Sequence, residues 1–562
     1  MPKATTKKAA AASELSAEVT KRHGFRKWLP LIVLSMAMMI IIIDTTVLNV
    51  SLRVIVNDLK TNLQGLQWVI AGYALTLAAL TVTGGRLGDL FGRKKMFMLG
   101  AVIFAIGSFM TSISHSLGMM IAGEAVVEGI GAALMMPATA SLLVSNYQGR
   151  DRSLAFGVWG GIAAASSAIG PIVGGLLTTH YSWRWAFRIN IFVAIALLIG
   201  ATAIAEGRDK VEKAQLDFFG VFLSATGLLA FVFGIIESST FGWFKATQPY
   251  AIFGHNLPAG LSPTPYGLVI GALLLLAFGW WQNNAENHGK TPLVSMHLFQ
   301  NKQFTSGASV ITFLSFGMVG LIFAVPVFLQ SVRNLDALHT GLALLPMSLS
   351  MLIVAPLSGI LAKKIAPKRM IQLGLIIATS AAAVLHFTIT ANSTAASFAP
   401  GLILFGVGMG LVMAQASNVT LSAVPVHQSG EASGVNNTLR QVGSSFGSAI
   451  IGAVLLTTVA GSLSKGITNS AVIPAQAKPA IAAKAAASVS DVELSGGGQS
   501  AKSTPPAIKE EMTRIAHQAS ADGARMSMIY TGLFIFIGFL LSFLLPNKLN
   551  LEGSHSGPKA AH

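Results

Sequence analysis

The chain has 562 residues, 52% of them hydrophobic and 11% charged, with no cysteine and a formal net charge of +16. Soluble domains carry about 25% charged residues, so a soluble fold of this size could not hide so much apolar surface, and collagen-like, disordered and disulfide-framework classes are excluded as well. Without cysteine there is no thiolate nucleophile or Cys-ligated metal, and on a membrane chain the basic excess reflects cytoplasmic loops and anionic headgroups rather than nucleic acid.

Residues 1–27 are polar and basic and read as a cytoplasmic tail. The apolar run that follows is longer than the ~7–15 residues of a signal-peptide core and lacks a clear cleavage site, so it reads as a spanning helix. A span needs ~20 apolar residues. Runs of that kind cover 28–52, 67–85, 96–114, 117–144, 154–177, 186–204, 218–237, 265–281, 304–330, 341–361, 370–390, 398–424, 433–459 and 526–545, about fourteen in all. An even number places both termini on one side. Lys and Arg support the cytoplasmic side: Arg86, Arg93, Lys94 and Lys95, then Arg150 and Arg152, Arg208, Lys210 and Lys213, and later Lys363, Lys364, Lys368 and Arg369 fall in loops on the side of the tails. Residues 460–525 are expected to form a long, mostly mobile outer loop, with Ser495–Gly498 inside it and one amphipathic helix starting at Pro505-Pro506. Lacking aromatic residues, the loop is not expected to fold as a domain.

The segment Gly85–Met96 can be laid over Gly359–Met370 so that Gly85 meets Gly359, Lys94 meets Lys368 and Gly100 meets Gly374. Each copy follows the second helix of a half. Duplication explains the shared position better than chance likeness of two basic turns, and many transporters are built from such repeats. The expected architecture is an all-α membrane protein with a six-helix bundle over 28–205, a linker with two inserted helices over 206–303, a second six-helix bundle over 304–546 and a cytoplasmic tail over 547–562.

No phosphate-binding loop is present, and the twelve histidines form no His-x-x-x-His pair, so neither a nucleotide nor a metal or other cofactor is expected. Charged residues inside spans are costly and point to function. Asp44 lies in the first span; Glu124 and Glu128 lie in the fourth at i, i+4, on one helical face, roughly 10 and 16 Å from the outer edge at ~1.5 Å per residue. A carboxyl group removed from water holds its proton to higher pH, and neighbouring acids reinforce this. Such acids can exchange protons and attract lipophilic cations, the chemistry of an antiporter; the alternative is that they make helix–helix hydrogen bonds or pair with Arg440. Arg440 of the thirteenth span either pairs with an acid or an anionic substrate or snorkels to the interface. Gly170-Pro171 with Gly174-Gly175 reads as a hinge or leak seal, or as plain close packing. Trp243, Phe244, Tyr250 and Phe253 fit an interfacial aromatic belt.

These motifs resemble the major facilitator superfamily. Gly85, Leu87, Asp89, Gly92, Arg93, Lys94 and Lys95 match its signature loop, which implies a conformational latch with Asp89 and Arg93 in an ionic network. Gly170–Gly175 is similar to the fifth-helix motif associated with antiporters, and Asp44–Val50 resembles the first-helix motif of the fourteen-helix drug:proton antiporters. Gln67-Trp68, Tyr73, Trp183-Arg184-Trp185 and Asn190 fit the same branch. The sequence departs from the pattern at Ala125, where the fourth-helix motif usually has Arg; at Glu128, where Gln is common; at Arg53, where Pro is common; and at Lys363 in the second-half loop, where Asp is expected. The resemblance implies a non-enzymatic carrier in the cell membrane that rocks between two open states and exports small lipophilic, cationic drugs against proton entry. Its partners would be substrate, protons and membrane lipids, with no nucleic acid and no obligate second subunit. The rival readings are a carrier dedicated to one metabolite, lipid or siderophore, and a non-transporting sensor or scaffold.

Overall fold

The computed structural model describes residues 25–61, 63–205, 216–246, 251–252, 255–256, 261–362, 364–425, 428–487 and 506–546. The expectations for the two tails, Arg208, Lys210, Lys213, Tyr250, Phe253, Lys363 and Ser495–Gly498 fall outside them.

The described chain is almost wholly helical. The first half consists of α1 (Phe25–Asp58), α2 (Leu63–Phe91), α3 (Arg93–Ser112), α4 (Leu117–Asn146), α5 (Gly149–His180) and α6 (Arg184–Gly200). Two further helices, α7 (Phe218–Phe241) and α8 (Pro263–Asn287), precede the second half, which holds α9 (Lys302–Arg333), α10 (Ala337–Leu361), α11 (Pro367–Thr388), α12 (Ala399–Ser422), α13 (Ser429–Asn469) and α14 (Pro506–Ser542). Thirteen of these are long and apolar enough to cross a membrane. The remaining one, α5, has 32 residues rich in Gly, Ala and Ser; at ~1.5 Å per residue it also has the length to span. Two short strands, β1 (Ala251–Ile252) and β2 (His255–Asn256), pair antiparallel between α7 and α8.

Each half has its own apolar core. Leu34, Met38, Phe97, Phe104 and Phe156 anchor the first; Leu314, Phe328, Leu385, Phe398 and Phe405 anchor the second. Helix α7 packs through Val232 against Leu75 and Ala78 of α2, with Val442 of α13 alongside, so the inserted pair touches both halves.

Glycines set the close helix crossings, where an added side chain would meet backbone. A Cβ on Gly85 would lie 2.3 Å from the Gly430 carbonyl oxygen at the start of α13, and one on Gly359 would lie 2.8 Å from the Leu154 Cα at the start of α5. The two repeat positions thus do the same job in opposite halves. Lys94 Nζ donates to the Ile204 carbonyl beyond α6 at 3.0 Å, and Lys368 Nζ to the Phe543 and Leu545 carbonyls beyond α14 at 3.1 and 2.5 Å. Both lysines stabilise the carbonyl-rich end of the last helix of their half.

Residues 460–487 and 506–525 are not a loop in the expected sense. Helix α13 continues to Asn469, a short helix covers Lys478–Ala487, and α14 begins at Pro506, as the Pro-Pro signal indicates. Leu463, Ile467, Ile473, Ile515 and Ala519 bury themselves between these extensions. Aliphatic residues at helical spacing on two long neighbours suffice for this small core, so the lack of aromatics did not prevent it.

At the same end, opposite the termini, Trp183 Nε1 donates to Asp58 Oδ2 at 2.9 Å, Arg184 pairs with the same carboxylate, and Arg184 Nη2 donates to the Ser114 carbonyl at 2.8 Å. The Trp183 N–H and the Arg184 guanidinium hold the Asp58 carboxyl below its ordinary value. A depressed carboxyl contributes stability above the unfolded pKa and loses it as pH falls through the folded one. Asp58→Asn is therefore expected to lower the melting temperature at pH 7, by the equivalent of about 1 kcal/mol or less for a part-exposed pair. The gap to the parent protein should close in acid below about pH 4. A gap that stays constant down to pH 3 would show that the carboxylate charge is not what matters.

Candidate functional site

Three acids named from the sequence converge. Asp44 of α1 and Glu124 and Glu128 of α4 are almost fully buried, at 3%, 1% and 0% exposure, and each offers a carboxylate oxygen within 4.8 Å of the other two. Asn190 of α6 ties the group together. Its Nδ2 lies 2.7 Å from Asp44 Oδ1 and 3.1 Å from both Glu128 Oε1 and Ser108 Oγ of α3. The Ser108 hydroxyl donates to Glu128 Oε1 at 2.5 Å. Asp44 Oδ2, Glu124 Oε2, Glu128 Oε2 and the hydroxyl of buried Tyr73 are left without a hydrogen-bond partner. All these residues belong to the first half, so the trio sits inside one bundle rather than across the gap between bundles.

The local backbone is unusual. Residues Ile121–Glu128 form π-helical turns, and the Gly129 N–H reaches back to the Glu124 carbonyl, five residues earlier. Such widened turns recur at functional sites because they leave room and redirect side chains. Close packing fixes the depth of the acids: a Cβ on Gly107 of α3 would lie 2.5 Å from the Glu128 backbone nitrogen. Three carboxylates so close in a low-dielectric interior repel by about 3–4 kcal/mol per pair at an effective dielectric constant of 20. The arrangement therefore calls for protons or a cation among them. Three carboxylate oxygens with the Asn190 amide and the Tyr73 hydroxyl make a donor set that could hold a small hard cation, a possibility that searching for histidine pairs does not reveal.

The residues of the antiporter-like motif lie beside this group. A Cβ on Gly170 of α5 would fall on the Thr46 hydroxyl, 1.7 Å away, and one on Gly174 would lie 3.0 Å from a Val47 methyl. These glycines let α5 lie directly on the turn of α1 that follows Asp44. Gly175 faces Leu338 of α10 at 3.8 Å. Pro171 lies within α5.

The signature-loop residues form a second constellation at the end of the molecule where the termini lie. Asp89 Oδ1 accepts from Arg93 Nε at 3.0 Å, Arg93 Nη2 at 2.8 Å and the Gly430 N–H at 3.1 Å; Oδ2 accepts from the Glu431 N–H at 2.7 Å. The carboxylate thus caps the positive N-terminus of α13 from the opposite half. Gly92, at φ 108°, makes the break between α2 and α3 that sets Arg93 back over Asp89. Lys95 is exposed.

Sequence reasoning did not name the other members of this network. Arg86 Nη1 lies 3.6 Å from Glu431 Oε2, and Glu431 Oε1 accepts from the Ser295 N–H at 2.5 Å. Glu286 at the end of α8 accepts from the Ser295 hydroxyl at 2.5 Å and the Met296 N–H at 3.1 Å. The available signal was Glu431 itself, an acid in the first turn of a long helix. Nearby, Arg152 Nη1 donates to Ser422 Oγ at 3.1 Å and Asn418 Nδ2 to Ser153 Oγ at 3.0 Å. These bonds close the two halves against each other at the terminal end.

Arg440 is not with the acids. Its guanidinium reaches Met136 Sδ of α4 at 3.5 Å, in a narrow cleft between the halves.

A profile of the Major Facilitator Superfamily matches residues 34–448. The sequence is 29% identical over 435 residues to the tetracenomycin C resistance and export protein of Streptomyces glaucescens, covering 77% of each chain. It is 30% identical to the multidrug efflux pump LfrA of Mycolicibacterium smegmatis over 77% of this chain and 82% of that one. The structure resembles the proton:xylose symporter XylE, with a TM-score of 0.57 at 12% identity over 93% of this chain and 98% of that one. It also resembles the human organic anion transporter MFSD10, with a TM-score of 0.55 at 11% identity over 92% of this chain and 100% of the other.

Proposed function

The chain belongs to the Major Facilitator Superfamily and is a membrane transporter rather than an enzyme, and we propose that it exports lipophilic compounds, cations among them, in exchange for protons. Both termini face the cytoplasm in this reading, as the Lys/Arg distribution favours, and the conformation described is then closed to the cytoplasm by the Asp89 and Arg152 contacts. The observation that carries the reading is the buried trio Asp44, Glu124 and Glu128, held by Asn190 and Ser108 around π-helical turns. Burying three carboxylates is too costly to be an accident of packing. The export names of the relatives support the direction.

In the proposed cycle the trio takes up protons from outside, which relieves its internal repulsion and lets α1 and α4 repack. Release of those protons to the inside restores the repulsion. Because α1 carries Asp44 and packs on α5 through Gly170 and Gly174, a change in the trio is passed to α5 and α10, the pair that meets across the halves. The arrangement at Ala125 fits this cycle: with no arginine at that position, the second and third acids supply the group that interacts with Asp44.

The test is proton flux in liposomes. Purified protein is reconstituted with a pH-sensitive dye inside, a proton gradient is imposed, and lipophilic cations are added one at a time. The expected result is proton movement triggered by several unrelated cations. Transport of those cations with no proton movement, or no transport of any, would overturn the proposal.

A further inference from the structure

Between the halves lies a cleft that the proton trio does not use, lined by Phe156 and Trp159 of α5, Met413 and Ser417 of α12, and Asn436 and Arg440 of α13. Its polar groups are incompletely satisfied. Trp159 is 5% exposed and its indole N–H has no acceptor; Asn436 is 6% exposed and its Oδ1 has no donor. Among the described residues no carboxylate lies within ion-pairing distance of Arg440, whose hydrogen-bond partner is the thioether of Met136, a weak acceptor. A guanidinium in the interior of a membrane bundle without an anion, beside an unpartnered indole N–H, leaves two converging donors short of an oxygen. Phe156 and Trp159 meet edge to face at 6.0 Å and supply an aromatic wall.

We propose that this cleft recognises the transported compound through an anionic or carbonyl oxygen borne on an aromatic ring system. The oxygen takes the Arg440 guanidinium and the Trp159 N–H, the Asn436 carbonyl oxygen accepts from a neighbouring hydroxyl of the same compound, and the ring lies against Phe156 and Trp159. The substrate class is then phenolic or quinone-like polycyclic aromatics, cationic elsewhere or not at all. The inference rests on the transport reading above, and it separates the two tasks: protons at the trio, substrate oxygen at Arg440. Met136 and Glu128 are eight residues apart on α4, so the two sites stand roughly 12 Å apart along that helix.

The experiment is equilibrium binding to the purified protein, with no gradient, of two fluorescent probes: a dihydroxyanthraquinone carrying a phenolate, and ethidium, a planar cation without oxygen. Arg440→Gln is expected to weaken the anthraquinone at least about tenfold, as loss of a charge-assisted hydrogen bond does, while ethidium stays within about twofold of the parent, inside the ~0.4 kcal/mol that ordinary surface changes produce. Trp159→Phe keeps the ring and removes the N–H; it should weaken the anthraquinone about threefold or more, a neutral hydrogen bond's share. Arg440→Lys should recover part of the loss. If Arg440→Gln does not fold, Trp159→Phe decides. Equal weakening of both probes, no change in either, or failure of the parent protein to bind the anthraquinone would overturn the proposal. Intact selective binding with no proton flux in liposomes would instead remove the antiport reading and leave this one standing.

Discussion

Asp44→Asn is expected to abolish proton-driven export while leaving the protein folded: substrate-triggered proton flux should fall by about two orders of magnitude, the scale on which removal of a proton-transferring group acts. The substitution is nearly isosteric, and the amide oxygen can still accept from Asn190 Nδ2, as Asp44 Oδ1 does at 2.7 Å. It removes the charge that repels Glu124 and Glu128, whose oxygens lie within 4.8 Å of it. The remaining pair then lacks the third charge that makes proton uptake alter the packing of α1. Glu124→Gln and Glu128→Gln should each reduce flux by at least about tenfold through the same loss, with Glu128→Gln also disturbing Ser108, which donates to it at 2.5 Å. Undiminished flux in Asp44→Asn would exclude the trio as the coupling site. Passive binding measured without a gradient separates this from simple loss of substrate affinity.

The second large effect is expected at Asp89. Its carboxylate accepts from two backbone N–H groups of α13 and from Arg93, so Asp89→Asn removes charge-assisted bonds from the contact that closes the terminal end, a loss of about 2–4 kcal/mol from that conformation. The protein has no cysteine, so a single Ser417→Cys reports on the cleft, where Ser417 is 7% exposed. Labelling of that cysteine by a membrane-impermeant maleimide applied from the side of the termini should be slow with Asp89 present. With Asp89→Asn it should rise at least tenfold, since ~1.4 kcal/mol is a factor of ten in population. An unchanged labelling rate would show that the loop is dispensable for closure. Glu431→Gln should give a smaller rise, because Glu431 bears on Arg86 and on the Ser295 N–H while Asp89 keeps its own contacts.

Much of this was legible in the residues because membrane physics leaves few options. With no water to satisfy the backbone, an apolar run of about twenty residues must be a helix, and the order of such runs sets the order of α1 to α14. The duplicated loop was legible because it is local: the same Gly, Lys and Met spacing produces the same crossings and the same carbonyl caps at Lys94 and Lys368. Asp44, Glu124 and Glu128 stood out because each is a charge where charge is expensive. Helix ends were harder to place. Helices α13 and α14 run well beyond their most apolar stretches because their polar extensions support each other through Ile467 and Ile515, and hydropathy is blind to that.

What the sequence determined by itself, then, is everything that follows from composition and short spacing: a fourteen-helix membrane carrier, its repeat, its latch residues and its costly acids. Tertiary structure alone decided the groupings. Helix rotation and close glycine crossings put Asp44, Glu124 and Glu128 together with Ser108 and Asn190 inside the first half, and left Arg440 apart from them in the cleft with Trp159. The π-helical turns at Ile121–Glu128 and the reach of Glu431 to Arg86 and Ser295 were likewise settled there. The physical reason is the same in each case. A buried charge reveals its cost in one dimension, but the partner that offsets it comes from a distant segment, and only packing selects which one.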